Sequence, residues 1–492
     1  MEIFGFNIID ILVICTYLIG VTALGLYMTR KVKTVGDYFL GGRKFGKVFT
    51  AARDFGLGTS TDEPVVVVGS AYSIGLAGVW YSLINIFATP FYWVVRPWFR
   101  RLRLYTMGDY CEKRFGRHFG YFYSVFGALN SAILLGLVLK GTSSAVVGVS
   151  GGMVPLWAVI LVMAALFICY GGFGGQHAAV VTDFVQGIFI IILSFLLIPF
   201  CIYKAGGMEK ISQAVPKDFF NLISETEVTF GFVIMATIVT LTSSMGNPNA
   251  ATVIGKTEWE TRMGMSAGML LKRLCTIAWA FSGVFYLAVN TGITDRDQVF
   301  GTAIANILPV GFVGLMVAAL MATGMSTCSG FMIIAGSYFV KNFYTKVASN
   351  KSEEHYLMVS RVASVSAACL GVLFAMLFPT LVDLLKYAWV MLSFVGIAVW
   401  VSFGWRRANR WGAWATVLVS FVTHAVCAYR LKYSFELTAL IYLSVGYLVM
   451  VIVSLLTPRE PKEQLDEFYA LLHTKIGEED RLKYADVEIM HY

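Results

Sequence analysis

Charged side chains are scarce in this sequence. Lysine, arginine, aspartate and glutamate together make up 14% of the 492 residues, whereas hydrophobic residues make up 57%. Soluble globular domains carry about 25% charged residues, so this composition excludes that class. The chain is instead predicted to be a polytopic integral membrane protein surrounded by a lipid bilayer.

Residues suited to metal, disulfide or catalytic chemistry are also few. The eight cysteines include no CxxC pair, and neither they nor the six histidines have the spacing of a zinc site. No nucleophile, base and orienting residue stand together in a recognisable motif. We therefore expect no enzymatic activity and no cofactor. Basic loops explain the net charge of +8, so no nucleic-acid partner is expected, and the sequence indicates no particular protein partner.

Long apolar runs, separated by short polar breaks, take up most of the chain. A helix needs about 20 apolar residues to cross the roughly 30 Å hydrocarbon core of a bilayer, and about thirteen runs reach this length. They lie near residues 8–28, 47–75, 77–98, 120–149, 153–171, 178–203, 226–245, 266–290, 306–339, 360–380, 382–403, 411–428 and 434–456. The first run lacks a small-residue cleavage site, so it is interpreted as a retained helix and not as a signal peptide.

Basic residues are concentrated in alternate loops, such as those over residues 30–47 and 100–117. Short loops rich in lysine and arginine stay on the cytoplasmic side of a membrane. The sequence therefore predicts an external N-terminus and a cytoplasmic C-terminus, and we expect a bacterial-type plasma membrane as the location.

The segment GLGTSTDEP, residues 56–64, interrupts one apolar run with two glycines, three hydroxyls, two carboxylates and a proline. Freed backbone groups at membrane depth are tolerated only where they line a buried or wet cavity, and carboxylates at that depth mark ion or substrate pathways. We interpret this segment as the unwound middle of a broken helix at a transport site. A short re-entrant or extramembrane loop between two half-length helices is the alternative.

A second interruption, TSSMGNPNA at residues 242–250, has the corresponding place in the other half of the chain. Interrupted helices at matching positions indicate inverted repeats. The predicted fold is all-α, with a ten-helix core of two inverted five-helix repeats whose first helices are broken. The predicted divisions are 1–46 (an extra helix and a cytoplasmic loop), 47–203 (first repeat), 204–225 (external loop), 226–403 (second repeat), 404–456 (two further helices) and 457–492 (cytoplasmic tail).

The run over residues 306–339 contains a cluster of hydroxyls at Thr323, Ser326 and Thr327. Residues three apart lie on one face of a helix, and a hard cation prefers several oxygen ligands. The cluster is therefore a candidate cation site. The alternative is that these hydroxyls bond back to helical carbonyls or hold neighbouring helices together.

Four motifs in this order resemble the sodium:solute symporter family: GGR at 41–43, RRLRLYT to EKRFG at 100–116, YGGFGGQHAAVVTDFVQ at 170–186 and MSTCS at 325–329. The resemblance extends over about residues 8–456. It implies the inverted-repeat fold of the bacterial leucine transporter, with one extra helix before the core and two after it. It also implies symport of a small organic solute coupled to Na⁺, by alternating access.

The resemblance also assigns roles to individual residues. The family's sodium ligands correspond to the carbonyls of Gly56, Thr59 and Thr323 and the hydroxyls of Ser326 and Thr327. Its solute-lining positions correspond to Ser60, Asp62 and Glu63, and its acid that helps to release sodium corresponds to Asp183. We also assign Asn247 and Asn249, at the second interruption, to the solute.

The adjacent acids Asp62 and Glu63 depart from the family pattern and leave the solute open. Two neighbouring buried carboxylates raise each other's pKa, so one is protonated or a cation joins them: Na⁺, Lys140, Arg53 or an amine on the solute. Arg53 and Asp54 form a further candidate charge pair one turn earlier. This reasoning favours an amino acid or other amine as solute, with a sugar-like compound next.

The tail over residues 457–492 is charged but places Leu465, Phe468, Leu472 and Ile476 at helical spacing. It is predicted to form a short amphipathic helix that lies on the membrane or on the protein. A rival function follows from it: a transporter-like sensor or receptor that signals through a partner bound to this tail.

Overall fold

Backbone amides and carbonyls inside a bilayer must be hydrogen-bonded within the protein, which favours helices for apolar runs of this length. The computed structural model describes residues 2–28, 34–40, 43, 45–348, 350–378 and 380–478, without the side chains of residues 2, 3, 25, 26, 28 and 170–178. The described chain is almost entirely helical. Its one sheet is an antiparallel hairpin of β1 (Glu2–Ile3) and β2 (Phe6–Asn7).

Twenty α-helices occur in the described residues. They are α1 (Ile8–Met28), α2 (Val35–Leu40), α3 (Lys47–Gly58), α4 (Asp62–Ile74), α5 (Trp80–Leu83), α6 (Thr89–Arg101), α7 (Met107–Phe115), α8 (Arg117–Val149), α9 (Leu156–Ala205), α10 (Met208–Ala214), α11 (Phe230–Gly246), α12 (Glu258–Leu287), α13 (Val299–Ile307), α14 (Phe312–Phe339), α15 (Thr345–Val347), α16 (Glu353–Leu377), α17 (Leu381–Gly404), α18 (Arg410–Ala425), α19 (Phe435–Leu456) and α20 (Lys462–His473).

The prediction of an all-α polytopic membrane protein is confirmed in its coarse form. Nine helical stretches of the described chain are long and apolar enough to cross a membrane, and three shorter apolar helices accompany them over Ile8–Leu24, Leu156–Cys169 and Phe230–Gly246. The count of about thirteen spans, the inverted repeats and the division boundaries remain predictions.

One difference from the predicted spans concerns α9. Two runs expected to be separate spans are assigned to one helix of 50 residues, which would be about 75 Å long if straight. Its two ends nevertheless lie near each other: Ser150, just before α9, lies against Gly5, and Phe200 packs on Phe312, beside the first turn of α1. The chain therefore reverses direction within α9, as two antiparallel spans would require.

Helix α14 is the centre of the bundle. Its most apolar window is entirely buried inside the protein, and it packs against α1, α3, α8, α9 and α16. Helix α12 packs against α3 on the side opposite α14, and this close packing depends on glycine. A Cβ added at Gly268 of α12 would lie 2.7 Å from the Ala51 carbonyl oxygen of α3. The segment between α3 and α4 is thereby held between α12 and α14.

The tail helix α20 packs on the protein, against α6 and α7. Leu465, Phe468 and Leu472 are buried, which confirms their predicted helical spacing. The Tyr469 hydroxyl donates to the Ser402 carbonyl at 2.7 Å, and Lys113 pairs with Glu467 at 2.9 Å. The fourth predicted position, Ile476, follows the helix, and its amide donates to Glu258 at 3.0 Å.

We expect Phe468→Ala to release α20 from the helices beneath it. Truncation of a buried phenylalanine costs about 3–5 kcal/mol, and Phe468 is 1% exposed. Hydrogen exchange of the amides over residues 462–473 should become faster. Glu463→Ala, on the exposed side of the same helix, should leave exchange unchanged, and equal exchange in both variants would show that Phe468 does not anchor the tail.

Candidate functional site

The first predicted break is present and is short. Helix α3 ends at Gly58 and α4 begins at Asp62, so only Thr59, Ser60 and Thr61 are unwound. Pro64 has no amide for the Ser60 carbonyl four residues earlier, and the Glu63 amide donates to that carbonyl instead, at 3.1 Å. The structure therefore supports the broken helix over the loop alternative.

Helix α14 stabilises this break from one side. The Thr61 hydroxyl donates to the Leu320 carbonyl at 3.0 Å, although Leu320 lies in another part of the sequence. This bond ties the unwound segment to the middle of the bundle.

The second predicted break begins where α11 ends, at Gly246. A Cβ at Gly246 would lie 2.1 Å from the Leu392 carbonyl oxygen, so only glycine fits there. Tyrosine hydroxyls satisfy two carbonyls of the break: Tyr123 donates to Gly246 at 2.7 Å and Tyr338 donates to Pro248 at 3.0 Å. The chain remains irregular until α12 begins at Glu258.

Four of the five residues assigned to sodium are brought together by contacts between α3 and α14. The Thr327 hydroxyl oxygen lies 3.4 Å from the Gly56 carbonyl oxygen and 3.1 Å from the Thr323 carbonyl oxygen. Ser326 is the neighbour of Thr327 on the same helix. Thr59, the fifth, begins the unwound segment, and its hydroxyl is buried with no partner among the described residues.

The alternative for the hydroxyl cluster was that its hydroxyls bond back to carbonyls of their own helix, and this is what Thr323 does. The Thr323 hydroxyl donates back to the Ala319 carbonyl at 2.7 Å, as hydroxyls in membrane helices commonly do. This bond uses the hydroxyl proton of Thr323 and leaves the oxygen lone pairs and the backbone carbonyl as the groups that a cation could bind. The Thr327 hydroxyl is shared between its own helix and α3, so it keeps a position facing the break.

Asp183 lies directly behind this cluster. Its carboxylate accepts a hydrogen bond from the Ser326 hydroxyl, and a Cβ added at Gly56 would lie 3.0 Å from the Asp183 Cγ. Three helices, α3, α9 and α14, thus meet at this point with a carboxylate, two hydroxyls and backbone carbonyls. This oxygen-rich arrangement suits a hard monovalent cation.

On the other side of the break lies a cavity of about 220 Å³. Its lining includes all the residues assigned to the solute, namely Ser60, Asp62, Glu63, Asn247 and Asn249. The two breaks therefore meet at one cavity, as the sequence predicted. The Asn247 side chain also accepts the Asn249 amide at 2.9 Å and so shapes the second break.

Arg53 and Asp54 form the predicted pair, at 3.1 Å, and both line the cavity. The sequence missed Arg96 of α6, which lies 3.4 Å from Asp54 and donates to the Ala250 carbonyl at 2.7 Å. Arg96 thereby connects the first broken helix to the second. Neither Arg53 nor Arg96 pairs with Glu63.

The cation that pairs with Glu63 is Lys272, which was not among the residues assigned from sequence. Its ammonium lies 2.9 Å from the Glu63 carboxylate and also donates to the Gly58 carbonyl. Arg273, the next residue, lines the same cavity. The sequence did carry a signal for Lys272 and Arg273, because charged residues inside an apolar run commonly mark functional sites.

The assignment of Lys140 as a charge partner is wrong. Its ammonium donates to the Phe378 carbonyl and lines a second cavity, of about 510 Å³, with Asp297 and Glu227. The reason is geometric: the next residue, Gly141, is the one that faces Asp62, since a Cβ there would lie 2.6 Å from the Asp62 Cα. Successive residues point about 100° apart around a helix.

The second cavity has its own ion pair outside the membrane spans. Arg296 donates to both Glu227 oxygens, at 3.0 and 2.8 Å. These hydrogen bonds from Arg296 lower the pKa of Glu227. The cavity is thus charged by residues unrelated to the two breaks.

Both hydrogen-bond donors and hydrogen-bond acceptors of the first cavity are buried without a partner. Within the described part of the chain, the oxygens without a partner there are Asp62 Oδ1, Glu63 Oε2 and Asn249 Oδ1, and the nitrogens are Arg53 Nη2, Arg96 Nε and Arg273 Nε. The cavity can therefore bond both a donor and an acceptor group of a ligand. Because Lys272 already pairs with Glu63, Glu63 does not require a cationic ligand, whereas Asp62 remains available to one.

Comparison with known proteins agrees with this geometry. The sequence profile of the sodium:solute symporter family matches residues 38–420. The osmoregulated proline transporter OpuE of Bacillus subtilis is 28% identical over 439 residues, covering 83% of this chain and 86% of OpuE. The high-affinity proline transporter PutP of the same organism is 25% identical and covers 90% and 98%.

A solved structure, of a substrate-bound outward-open Na⁺-coupled sialic acid symporter, has the same fold. It superposes with a TM-score of 0.80 at 19% identity, covering 93% of this chain and all of that one.

We expect Gly56→Ala to destabilise the protein, because the new methyl group would press on Asp183. Overpacking of this kind costs about 1–3 kcal/mol. Thermal unfolding of the purified protein should occur at a lower temperature, and Na⁺ should no longer raise it. Gly20→Ala in α1 is the matched control, since an added Cβ there meets nothing within 4 Å; equal behaviour of the two variants would contradict the close approach at Gly56.

Proposed function

Because this chain belongs to the sodium:solute symporter family, we propose that it couples the entry of Na⁺ to the uptake of a small organic solute by alternating access. The observation that carries the proposal is the contact between α3 and α14, where the Thr327 hydroxyl reaches the Gly56 carbonyl beside the break. The solute cavity lies on the other face of the same unwound segment. An ion and a solute bound there would lie on opposite sides of the same unwound segment.

The sodium ligands in this proposal are the carbonyls of Gly56, Thr59 and Thr323 and the hydroxyls of Ser326 and Thr327. Asp183 has the role of helping the ion to leave. Its carboxylate accepts the Ser326 hydroxyl, so it competes with Na⁺ for the orientation of that group. A site of mostly neutral oxygens binds Na⁺ weakly enough to release it on the other side of the membrane.

An amino acid is the solute class that we favour. It carries an ammonium and a carboxylate, which match the oxygens of Asp62 and Asn249 and the unpartnered Arg273 nitrogen. The proline transporters among the relatives support this choice. A sugar-like compound is the next candidate, since carboxylates and amides also bond hydroxyl groups well.

In the alternating-access cycle that we propose, the helices that carry the two breaks rock against the remaining core helices around a fixed site. The orientation follows the sequence, with an external N-terminus and a cytoplasmic C-terminus in a bacterial-type plasma membrane. Arg96 is placed to keep the two broken helices together during this motion, because it bonds groups on both.

A solute panel tests the proposed class. Uptake into proteoliposomes with an inward Na⁺ gradient should be highest for amino acids, compared with simple amines, sugars and monocarboxylates. In the Asp62→Asn variant, amino acids should compete less strongly, by about tenfold or more, against uptake of the preferred solute, since a hydrogen bond to a charged group contributes about 1.5–3 kcal/mol. Glu209→Gln, at an exposed acid, is the control. Best competition by monocarboxylates with no effect of Asp62→Asn would reject the class.

The sodium site is tested with the solute that the panel identifies. Replacing Na⁺ by choline should abolish uptake, and Ser326→Ala with Thr327→Ala should raise the Na⁺ concentration for half-maximal uptake about tenfold or more, a loss of about 1.4 kcal/mol. Ser337→Ala removes another buried hydroxyl of α14 that bonds only its own helix and should change nothing. Equal uptake in choline and sodium would refute sodium coupling, and binding without uptake would favour a sensor.

A further inference from the structure

Lys272 occupies an unusual position for a lysine inside a membrane bundle. It lies in the middle of α12 and is 4% exposed. Its ammonium makes two hydrogen bonds, one to the carbonyl of Gly58, the last residue of α3, and one to the carboxylate of Glu63, in the first turn of α4. It therefore bridges the two half-helices across the unwound segment.

The chemistry of this position is that of a cation site. The C-terminal end of a helix carries a partial negative charge from its unpaired carbonyls, and Gly58 ends α3. Glu63 adds a full negative charge beside it. The Thr59 Oγ1 atom of the unwound segment and the Asp62 Oδ1 and Glu63 Oε2 atoms of the first turn of α4 are buried and have no partner among the described residues.

A cation at such a position is not optional. A carboxylate at membrane depth is costly by several kcal/mol unless it is paired. In the described structure the ion pair with Glu63 comes from Lys272, at 2.9 Å. Arg53 and Arg96 are both engaged with Asp54. Arg273 also interacts electrostatically with Glu63, but its guanidinium donates to the Ser82 carbonyl at 2.8 Å. The cation could instead have come from solution or from the solute, and here the protein carries it.

We propose that Lys272 is a tethered cation that permanently fills a cation site at the first break, in place of a Na⁺ ion or a solute ammonium. This inference rests on the proposed function and assigns a specificity role to Lys272 within it. The ammonium of an amino acid must then be bound elsewhere in the cavity, at Asp62 and Asn249. The proposed Na⁺ site between α3 and α14 is separate, since the Lys272 ammonium bonds Gly58 and Glu63, whereas that site is formed at Gly56 and Thr327.

The test is to remove the tethered charge and count sodium ions. Equilibrium binding of radioactive Na⁺ should be measured on the purified full-length protein, for the wild type and for variants at Lys272. Lys272→Met should bind one more Na⁺ per chain than the wild type. Methylammonium should displace that additional ion in the variant and should displace none in the wild type.

Three further variants separate charge from structure. Lys272→Met combined with Glu63→Gln should lose the additional ion, because the carboxylate that holds it is gone. Lys272→Arg keeps the positive charge and should bind as many ions as the wild type. Lys140→Met removes a lysine at the second cavity and should also match the wild type. Lys272→Gln, which keeps a donor for Gly58 without the charge, is the second route to the same gain if Lys272→Met folds poorly.

The outcomes are distinguishable. Absence of Na⁺ binding by the wild type would overturn the proposed function itself. Normal binding by the wild type, with no additional ion and no effect of methylammonium in Lys272→Met or Lys272→Gln, would overturn the tethered-cation proposal alone. An additional ion that persists after Glu63→Gln would also overturn it, because the ion would then be bound at a different place.

Discussion

The need to satisfy backbone polar groups inside a bilayer controls this structure. Three residues, Thr59 to Thr61, leave the helical hydrogen-bond pattern at membrane depth, and each freed group there would cost several kcal/mol if it faced lipid. Two of the carbonyls at this break have donors: the Gly58 carbonyl accepts from the Lys272 ammonium of α12, and the Ser60 carbonyl accepts from the Glu63 amide at 3.1 Å. The Thr61 hydroxyl donates to the Leu320 carbonyl of α14, which holds the unwound segment against that helix. The site therefore depends on the packing of α12 and α14 around the break between α3 and α4.

The buried charges follow from the same constraint. Two carboxylates near the breaks have partners of opposite sign: Asp54 has Arg53 and Arg96, and Glu63 has Lys272. Such pairs add little net stability, but loss of one partner costs about 3–5 kcal/mol because the other charge remains buried. They therefore serve mainly to hold α3, α6 and α12 in one arrangement, and any motion of the transport cycle must keep these pairs or exchange them together.

Several parts of the site were predictable from sequence because their signals are local. Clustered proline, glycine and polar residues at 56–64 and 242–250 disfavour a continuous helix through local backbone effects, so both interruptions were found. The amphipathic spacing of Leu465, Phe468 and Leu472 predicted the tail helix. The hydroxyls of Thr323, Ser326 and Thr327 were found by helical periodicity with the help of a family resemblance. Their meeting with Gly56, by contrast, depends on how α14 crosses α3, which no local pattern encodes.

What the sequence by itself determined is therefore the class, the helical content, the two breaks and the oxygen-rich residues near them, since hydropathy and helix-breaking act over a few neighbouring residues. Only the tertiary structure decided which charges meet. Lys140 and Lys272 both look like isolated lysines in apolar runs, yet Lys272 pairs with Glu63 while Lys140 faces a separate cavity. The difference arises because Gly141, and not Lys140, is on the face of α8 that packs against Asp62, and the rotation of a helix about its axis is set by packing with its neighbours.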